Sequence, residues 1–279
     1  MLPLSAFLFA LAGPMRLTAD DDFKQHLQLS PDGKTILHTR IHERRMAVWT
    51  MTLGGTDAKR LLPKLDAPHF DASWSADGKR VAYVYDELQG TDGKFRIHAC
   101  AADGSDDRTL IPHKAFEESP RWFPDGKRLA WVSTRDGNPE IYSIGIDGKN
   151  VERLTSEIAY DLHPAVRPDG KQLAFSSGRT GRQKIFTMNA DGTRVKRLTD
   201  GDYLDAWPAW SPDGKRLAFV SHRTGNAEIW LMDADGKNPR NLTNHDAEDT
   251  SPAWLPDGKR LAFVSTRDGG SDVYVLSVP

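Results

Sequence analysis

Residues 205–243 read DAWPAWSPDGKRLAFVSHRTGNAEIWLMDADGKNPRNLT. Within this stretch, Ser211-Pro212-Asp213-Gly214-Lys215 carries hairpin chemistry. Proline presets the first corner of a type I turn, aspartate suits the second, and glycine takes the left-handed position that follows. The turn joins Pro208-Ala209-Trp210 to Leu217-Ala218-Phe219-Val220-Ser221. A second turn, Arg223-Thr224-Gly225-Asn226, leads to Glu228-Ile229-Trp230-Leu231-Met232, and Asp235-Gly236 turns the chain again into Arg240-Asn241-Leu242-Thr243. Four short strands separated by turn residues are the pattern of one propeller blade.

The unit recurs. Asp-Gly-Lys stands at Asp32, Asp77, Asp125, Asp169, Asp213 and Asp257, at intervals of 45, 48, 44, 44 and 44 residues. A fixed period in this range marks a stacked array of one supersecondary unit. Counting from each aspartate as position 0, position −3 is Trp74, Trp122, Trp210 or Trp254 in four repeats and apolar (Leu29, Val166) in the others. Position +5 is alanine in five repeats (Ala82, Ala130, Ala174, Ala218, Ala262) and Leu37 in the first. The second strand is apolar on both faces, as expected of a sheet sandwiched between neighbours. Each buried tryptophan removes about 150–250 Å² from water, so these side chains read as inter-blade core rather than a ligand-stacking platform.

The sixth repeat stops after Val273-Tyr274-Val275-Leu276 with no outer strand. Elsewhere a leucine 15 residues before the repeat aspartate, followed by threonine, marks the outer strand: Leu154-Thr155, Leu198-Thr199 and Leu242-Thr243. Leu17-Thr18 holds that position before the first repeat. Residues 15–18 are therefore expected to complete the last blade, closing the ring and removing two open sheet edges. The reading is all-β: one six-bladed propeller of four-stranded antiparallel blades over residues 13–279.

The chain has 279 residues, with 37 basic and 39 acidic side chains and no long block of either sign. That balance gives no support to a nucleic-acid or acidic-membrane role. Cys100 is the only cysteine, which excludes an intramolecular disulfide and a thiol metal cluster. Leu2–Ala12 is an uncharged apolar run of 11 residues ending in Ala10-Leu11-Ala12. It is too short to span a bilayer and suits a signal-peptide core over residues 1–12, although no lysine or arginine precedes it. The expected location is periplasmic or secreted.

The repeated Pro-x-Trp-Ser-Pro-Asp-Gly-Lys, then Leu-Ala-Phe-Val-Ser-x-Arg-x-Gly, then Ile-Trp/Tyr, Asp-Gly and Leu-Thr resemble the TolB-type (WD40-like) six-bladed propeller. The likeness runs from Met15 to Pro279. TolB itself carries an α/β domain before its propeller, and none is expected within these residues. No Gly-x-Ser-x-Gly elbow of the propeller-bearing peptidases occurs. The resemblance implies an exported, non-enzymatic, protein-binding scaffold of the cell envelope, expected as a monomer without a membrane span or nucleic-acid partner.

Candidate residues cluster around the same hairpin. Position −8 is acidic in repeats three to six (Glu117, Asp161, Asp205, Asp249), and position +10 is arginine in the same four (Arg135, Arg179, Arg223, Arg267). Both positions emerge at one end of the blade, which predicts structural ion pairs. The alternative directs the carboxylates into the channel around a cation such as calcium, which needs several oxygen ligands. No cofactor is otherwise required. Histidines also map to this end, and the expected binding mouth comprises His26, His42, Glu43, Arg44, His69, Glu87, His163 and His222. Oligogalacturonate lyase, a propeller with a related repeat, holds a metal by histidines there. A metal-dependent lyase or hydrolase of polysaccharide is therefore the enzymatic alternative. The first two repeats depart most from the pattern, through Ile41–Met46 and an insertion at 86–94, and loops on rigid scaffolds carry binding.

Overall fold

The computed structural model describes residues 13–87 and 94–279; the expected signal segment 1–12 and the insertion residues 88–93 lie outside the described residues. The chain opens with β1 (Met15–Arg16). Blade one is β2 (Phe23–Leu29), β3 (Thr35–His42), β4 (Arg45–Thr52) and β5 (Lys59–Arg60); blade two is β6 (His69–Trp74), β7 (Arg80–Glu87), β8 (Lys94–Ala101) and β9 (Arg108–Ile111). Blade three is β10 (Glu117–Trp122), β11 (Arg128–Ser133), β12 (Glu140–Gly145) and β13 (Glu152–Arg153). Blade four is β14 (Asp161–Val166), β15 (Gln172–Ser177), β16 (Lys184–Asn189) and β17 (Lys196–Arg197). Blade five is β18 (Asp205–Trp210), β19 (Arg216–Ser221), β20 (Glu228–Asp233) and β21 (Arg240–Asn241). Blade six is β22 (Asp249–Trp254), β23 (Arg260–Ser265) and β24 (Asp272–Ser277), and β1 is its fourth strand. The molecule is thus all-β, with six antiparallel four-stranded sheets, and no helix is long and apolar enough to cross a membrane among the described residues.

Each Asp-Gly-Lys is the turn between the two inner strands of its blade. The aspartate side chain accepts the lysine N–H in all six, at 2.8–3.1 Å. The glycine has φ near +70° and, except at Gly126, also meets the neighbouring blade. A Cβ on Gly33 would lie 3.2 Å from Pro256, and one on Gly170 would lie 3.1 Å from Pro124. The turn residue is therefore fixed by both backbone conformation and close approach.

Among the described residues there is no single central core. Six hydrophobic clusters each straddle two adjacent blades. The repeat tryptophans lie in these clusters, with Trp210 donating its indole N–H to the Ala165 carbonyl and Trp254 to Ala209, both at 3.1 Å across a blade boundary.

The closure follows the expected pairing, Met15 opposite Val275 and Arg16 opposite Tyr274. Its chemistry copies that of complete blades. The Thr18 hydroxyl accepts the Val273 N–H at 3.0 Å and donates to Asp272 at 2.7 Å. Thr155 likewise accepts the Ile141 N–H and donates to Glu140; Thr243 accepts from Ile229 and donates to Glu228. The buried Asp272 also receives Arg16 at 2.5 Å and faces Lys24 of blade one at 3.5 Å. Lys24 is itself buried and bonds Asp20 and the Asp22 carbonyl.

Thr18→Val leaves the Val273 N–H and Asp272 without their partner. The expected cost is about 1–3 kcal/mol, or a fall of roughly 2–10 °C in thermal midpoint for a domain of this size. Deletion of residues 13–19 should abolish the cooperative transition, and a calorimetric scan reads both.

Candidate functional site

Every inner strand carries a β-bulge. The register shifts between positions −7 and −4 in all six, as between Phe70 and Ser73 or Ala206 and Ala209. The residue at position −6 has a left-handed backbone in each blade: His26, Asp71, Ser119, His163, Trp207 and Ser251, with φ between 45° and 54°. None is glycine, and non-glycine residues with positive φ are uncommon and concentrate at functional sites.

Four of these residues, His26, His163, Trp207 and Ser251, line the floor of an axial cavity of about 420 Å³, while Asp71 and Ser119 are buried. Its walls are Trp74, Trp122, Trp210 and Trp254, and its rim is formed by the exposed Pro31, Pro168, Pro212 and Pro256. It therefore opens at the Asp-Gly-Lys end of the inner strands. The mouth expected from the sequence, formed by the connections that lead into the inner strands, lies at the opposite end.

Arg121 brings charge to the lining, and its partner is the buried Asp71. The Arg121 guanidinium lies 2.9 Å from its carboxylate, and the Ser119 hydroxyl donates to it at 2.9 Å. Thr39 accepts the Asp71 N–H at 3.0 Å and lies 3.2 Å from His26 Nδ1, while Ser251 accepts the His26 N–H at 3.1 Å. His163 packs on Trp207 with centroids 4.7 Å apart. Trp207 is 36% exposed, an unusual value for tryptophan. Burial pushes the Asp71 carboxyl up, but Arg121, His26 and Ser119 outweigh it and hold it at about 2. Burial lowers both histidines, His163 to about 3, and Arg121 reinforces the effect. Glu118 moves the other way, raised by burial and by Asp71.

Of the eight residues expected at the mouth, only His26 and His163 line this cavity. Glu43 and Arg44 are the two positive-φ residues of a tight hairpin, with His42 opposite Arg45, and they point to solvent far from the axis. That is the chemistry of a type I′ turn. His42 lies 2.8 Å from Asp22. His69 is fully buried, with Nδ1 2.8 Å from the Ala67 carbonyl. Glu87 pairs with Arg96 at 2.9 Å, and His222 follows β19 beside the Leu204 carbonyl.

The acid–arginine positions meet within their own blades: Glu117–Arg135 at 3.0 Å, Asp161–Arg179 at 2.7 Å, Asp205–Arg223 at 3.1 Å and Asp249–Arg267 at 2.9 Å. All four carboxylates are fully buried and none lines the cavity, so the channel-cation arrangement gives way to arginine pairing. A serine at position +8 completes each pair, accepting the arginine Nε–H at 2.8–3.0 Å. The arginines also stack on aromatic rings, as Arg223 does on Trp230 at 4.2 Å. Among the described residues, no three of His, Cys, Asp and Glu come together to hold a metal.

The ring of sheets and its polar-floored axis define a six-bladed β-propeller built around an axial cavity. The sequence pattern of the TolB beta propeller domain matches residues 58–206 and 201–279, and the chain belongs to that family. The Tol-Pal system protein TolB of Thioalkalivibrio sulfidiphilus is 41% identical over 59 residues, 21% of this chain and only 14% of that protein. A putative TolB from Agrobacterium tumefaciens superposes with a TM-score of 0.73 at 24% identity, covering 95% of this chain and 97% of that one. An oligogalacturonate lyase from Vibrio parahaemolyticus superposes with 0.64 at 16% identity, covering 95% and 93%. These two structures share the fold.

Two predictions follow from the charges. Arg267→Ala strands the buried Asp249, costing about 3–5 kcal/mol, whereas Asp249→Asn with Arg267→Met recovers much of the loss; denaturant melts compare them. Histidines held neutral in the fold take up protons in the unfolded chain first, near pH 6.5. Stability should thus decline as pH falls from about 6.5 toward 3. Asp71 adds its own loss from about 3.9 toward 2. His163→Gln should flatten the midpoint's slope between pH 6.5 and 4, read by calorimetry.

Proposed function

We propose that this chain is a protein-binding propeller of a bacterial cell envelope, exported to the periplasm, which receives a segment of a partner protein in the funnel at its axis. The observation that carries the reading is the exposed Trp207 on a strained backbone, beside the buried Asp71–Arg121 pair and beneath tryptophan and proline walls. Aromatic side chains and arginine are the residue types that concentrate binding energy in protein interfaces. Strain held at six equivalent positions keeps the floor pre-organised, which reduces the ordering cost of binding. The relatives named as Tol-Pal system proteins support an envelope partner.

The test is capture from an envelope fraction with immobilised protein. Wild type should retain a stoichiometric protein partner, and Trp207→Ala should weaken retention by more than tenfold with an unshifted thermal midpoint, since truncating such an anchor costs 2 kcal/mol or more, roughly. Unchanged capture by Trp207→Ala would sink the funnel as the docking site. Metal-dependent cleavage of acidic polysaccharide by the purified chain would instead favour the lyase reading.

A further inference from the structure

One register line crosses the second, third and fourth strands of every blade. It runs Trp131–Tyr142–Arg153 in blade three, Phe175–Phe186–Arg197 in blade four and Phe263–Tyr274–Arg16 in blade six. In these blades it is an aromatic pair capped by arginine. Blade two carries Tyr83–His98–Thr109 on the same line. The turn before β9 adds Asp107, whose Oδ1 accepts the Tyr83 hydroxyl at 2.6 Å and lies 3.2 Å from His98 Nδ1. The other imidazole nitrogen, Nε2, lies 3.0 Å from the Thr109 hydroxyl. Tyr85 stacks on the ring at 4.6 Å and fixes its plane.

Carboxylate, imidazole and hydroxyl thus stand in series, with the imidazole 13% exposed and the threonine open to solvent. A second cavity of about 420 Å³ shares Asp107 and has Leu61, Leu62 and Leu65 in its lining. β9 is the outer strand of its sheet, so alternate backbone N–H groups beside Thr109 face away from it.

We propose that Asp107, His98 and Thr109 form an acyl-transfer site in blade two that takes short-chain carboxylic esters at its solvent-exposed hydroxyl. Asp107 accepts the Nδ1–H and so leaves Nε2 as the proton acceptor. Thr109 Oγ attacks the ester carbonyl as its proton passes to Nε2, and the outward N–H groups of β9 stabilise the oxyanion. Collapse of the tetrahedral species breaks the bond to the alcohol, which leaves with the proton from Nε2. Water, deprotonated by the same nitrogen, then hydrolyses the acyl-threonine, releases the carboxylic acid and restores the hydroxyl proton. Tyr83 is a positioning residue that pins Asp107. This site is remote from the axial funnel and independent of the partner-binding reading.

The experiment combines turnover of p-nitrophenyl butyrate with labelling by a fluorophosphonate probe and peptide mapping. Wild type should turn over the ester and carry the probe on Thr109. Thr109→Val, isosteric but without the hydroxyl, should lose both, and His98→Gln should lower the rate by about 10²–10⁴-fold. Thr109→Ser should keep turnover, which separates chemistry from strand stability. No adduct on Thr109 in wild type, or equal hydrolysis by Thr109→Val, would overturn the assignment; neither outcome depends on whether the His98 variant folds.

Discussion

A four-stranded sheet that is apolar on both faces has no stable existence alone, because each face must find a partner. Here the partner is always the next blade, and the six hydrophobic clusters each lie at one such boundary. Five boundaries come from consecutive repeats. The sixth joins the two ends of the chain, and it must be as strong as the others for any of them to persist. That explains why Thr18 makes the bonds that Thr155 and Thr243 make in blades that are continuous in sequence. It also explains the density of charge there. A buried carboxylate that collects Arg16, Thr18 and Lys24 ties β1, blade six and blade one at one point.

The same closure shapes the axis. Six inner strands converging on one line cannot all run straight, and a bulge in each is the relief. The bulge turns one backbone position left-handed, and in four blades that residue lines the channel floor. Asp71 and Arg121 come from blades two and three, so the most polar part of the funnel exists only when neighbouring blades are docked. Floor chemistry and ring integrity are therefore coupled.

Much of this was legible in the residues. Turn chemistry at Asp-Gly-Lys, the two-faced apolar second strand and the orphan Leu17-Thr18 gave blade boundaries, core and closure, because each depends on local geometry or on counting. The funnel was legible in part. The sequence marks His26 and His163 as histidines at one end of the blades, but gives no such mark to Asp71, Arg121 or Trp207. Strict alternation along the inner strand misplaces them, since the bulge shifts the facing by one residue. A signal did exist: Pro120, Pro164, Pro208 and Pro252 stand at position −5, and proline inside a strand points to a bulge. The serine partners of the arginines were equally visible at a constant offset. Which end of the axis opens was not legible, because it depends on how six strands splay together.

The left-handed position at the floor holds His, Asp, Ser, His, Trp and Ser in turn, on backbones whose φ values differ by under 10°. Conformation there is dictated by the sheet, and side-chain identity is left open. The propeller is in this respect a dial on which four letters face the cavity, while Asp71 and Ser119 are buried as partners of one another. Altering Trp207, the exposed letter, re-addresses the funnel without re-engineering the walls. A lineage, or a designer, could explore new recognition through single codons while the surrounding architecture stays neutral to the change.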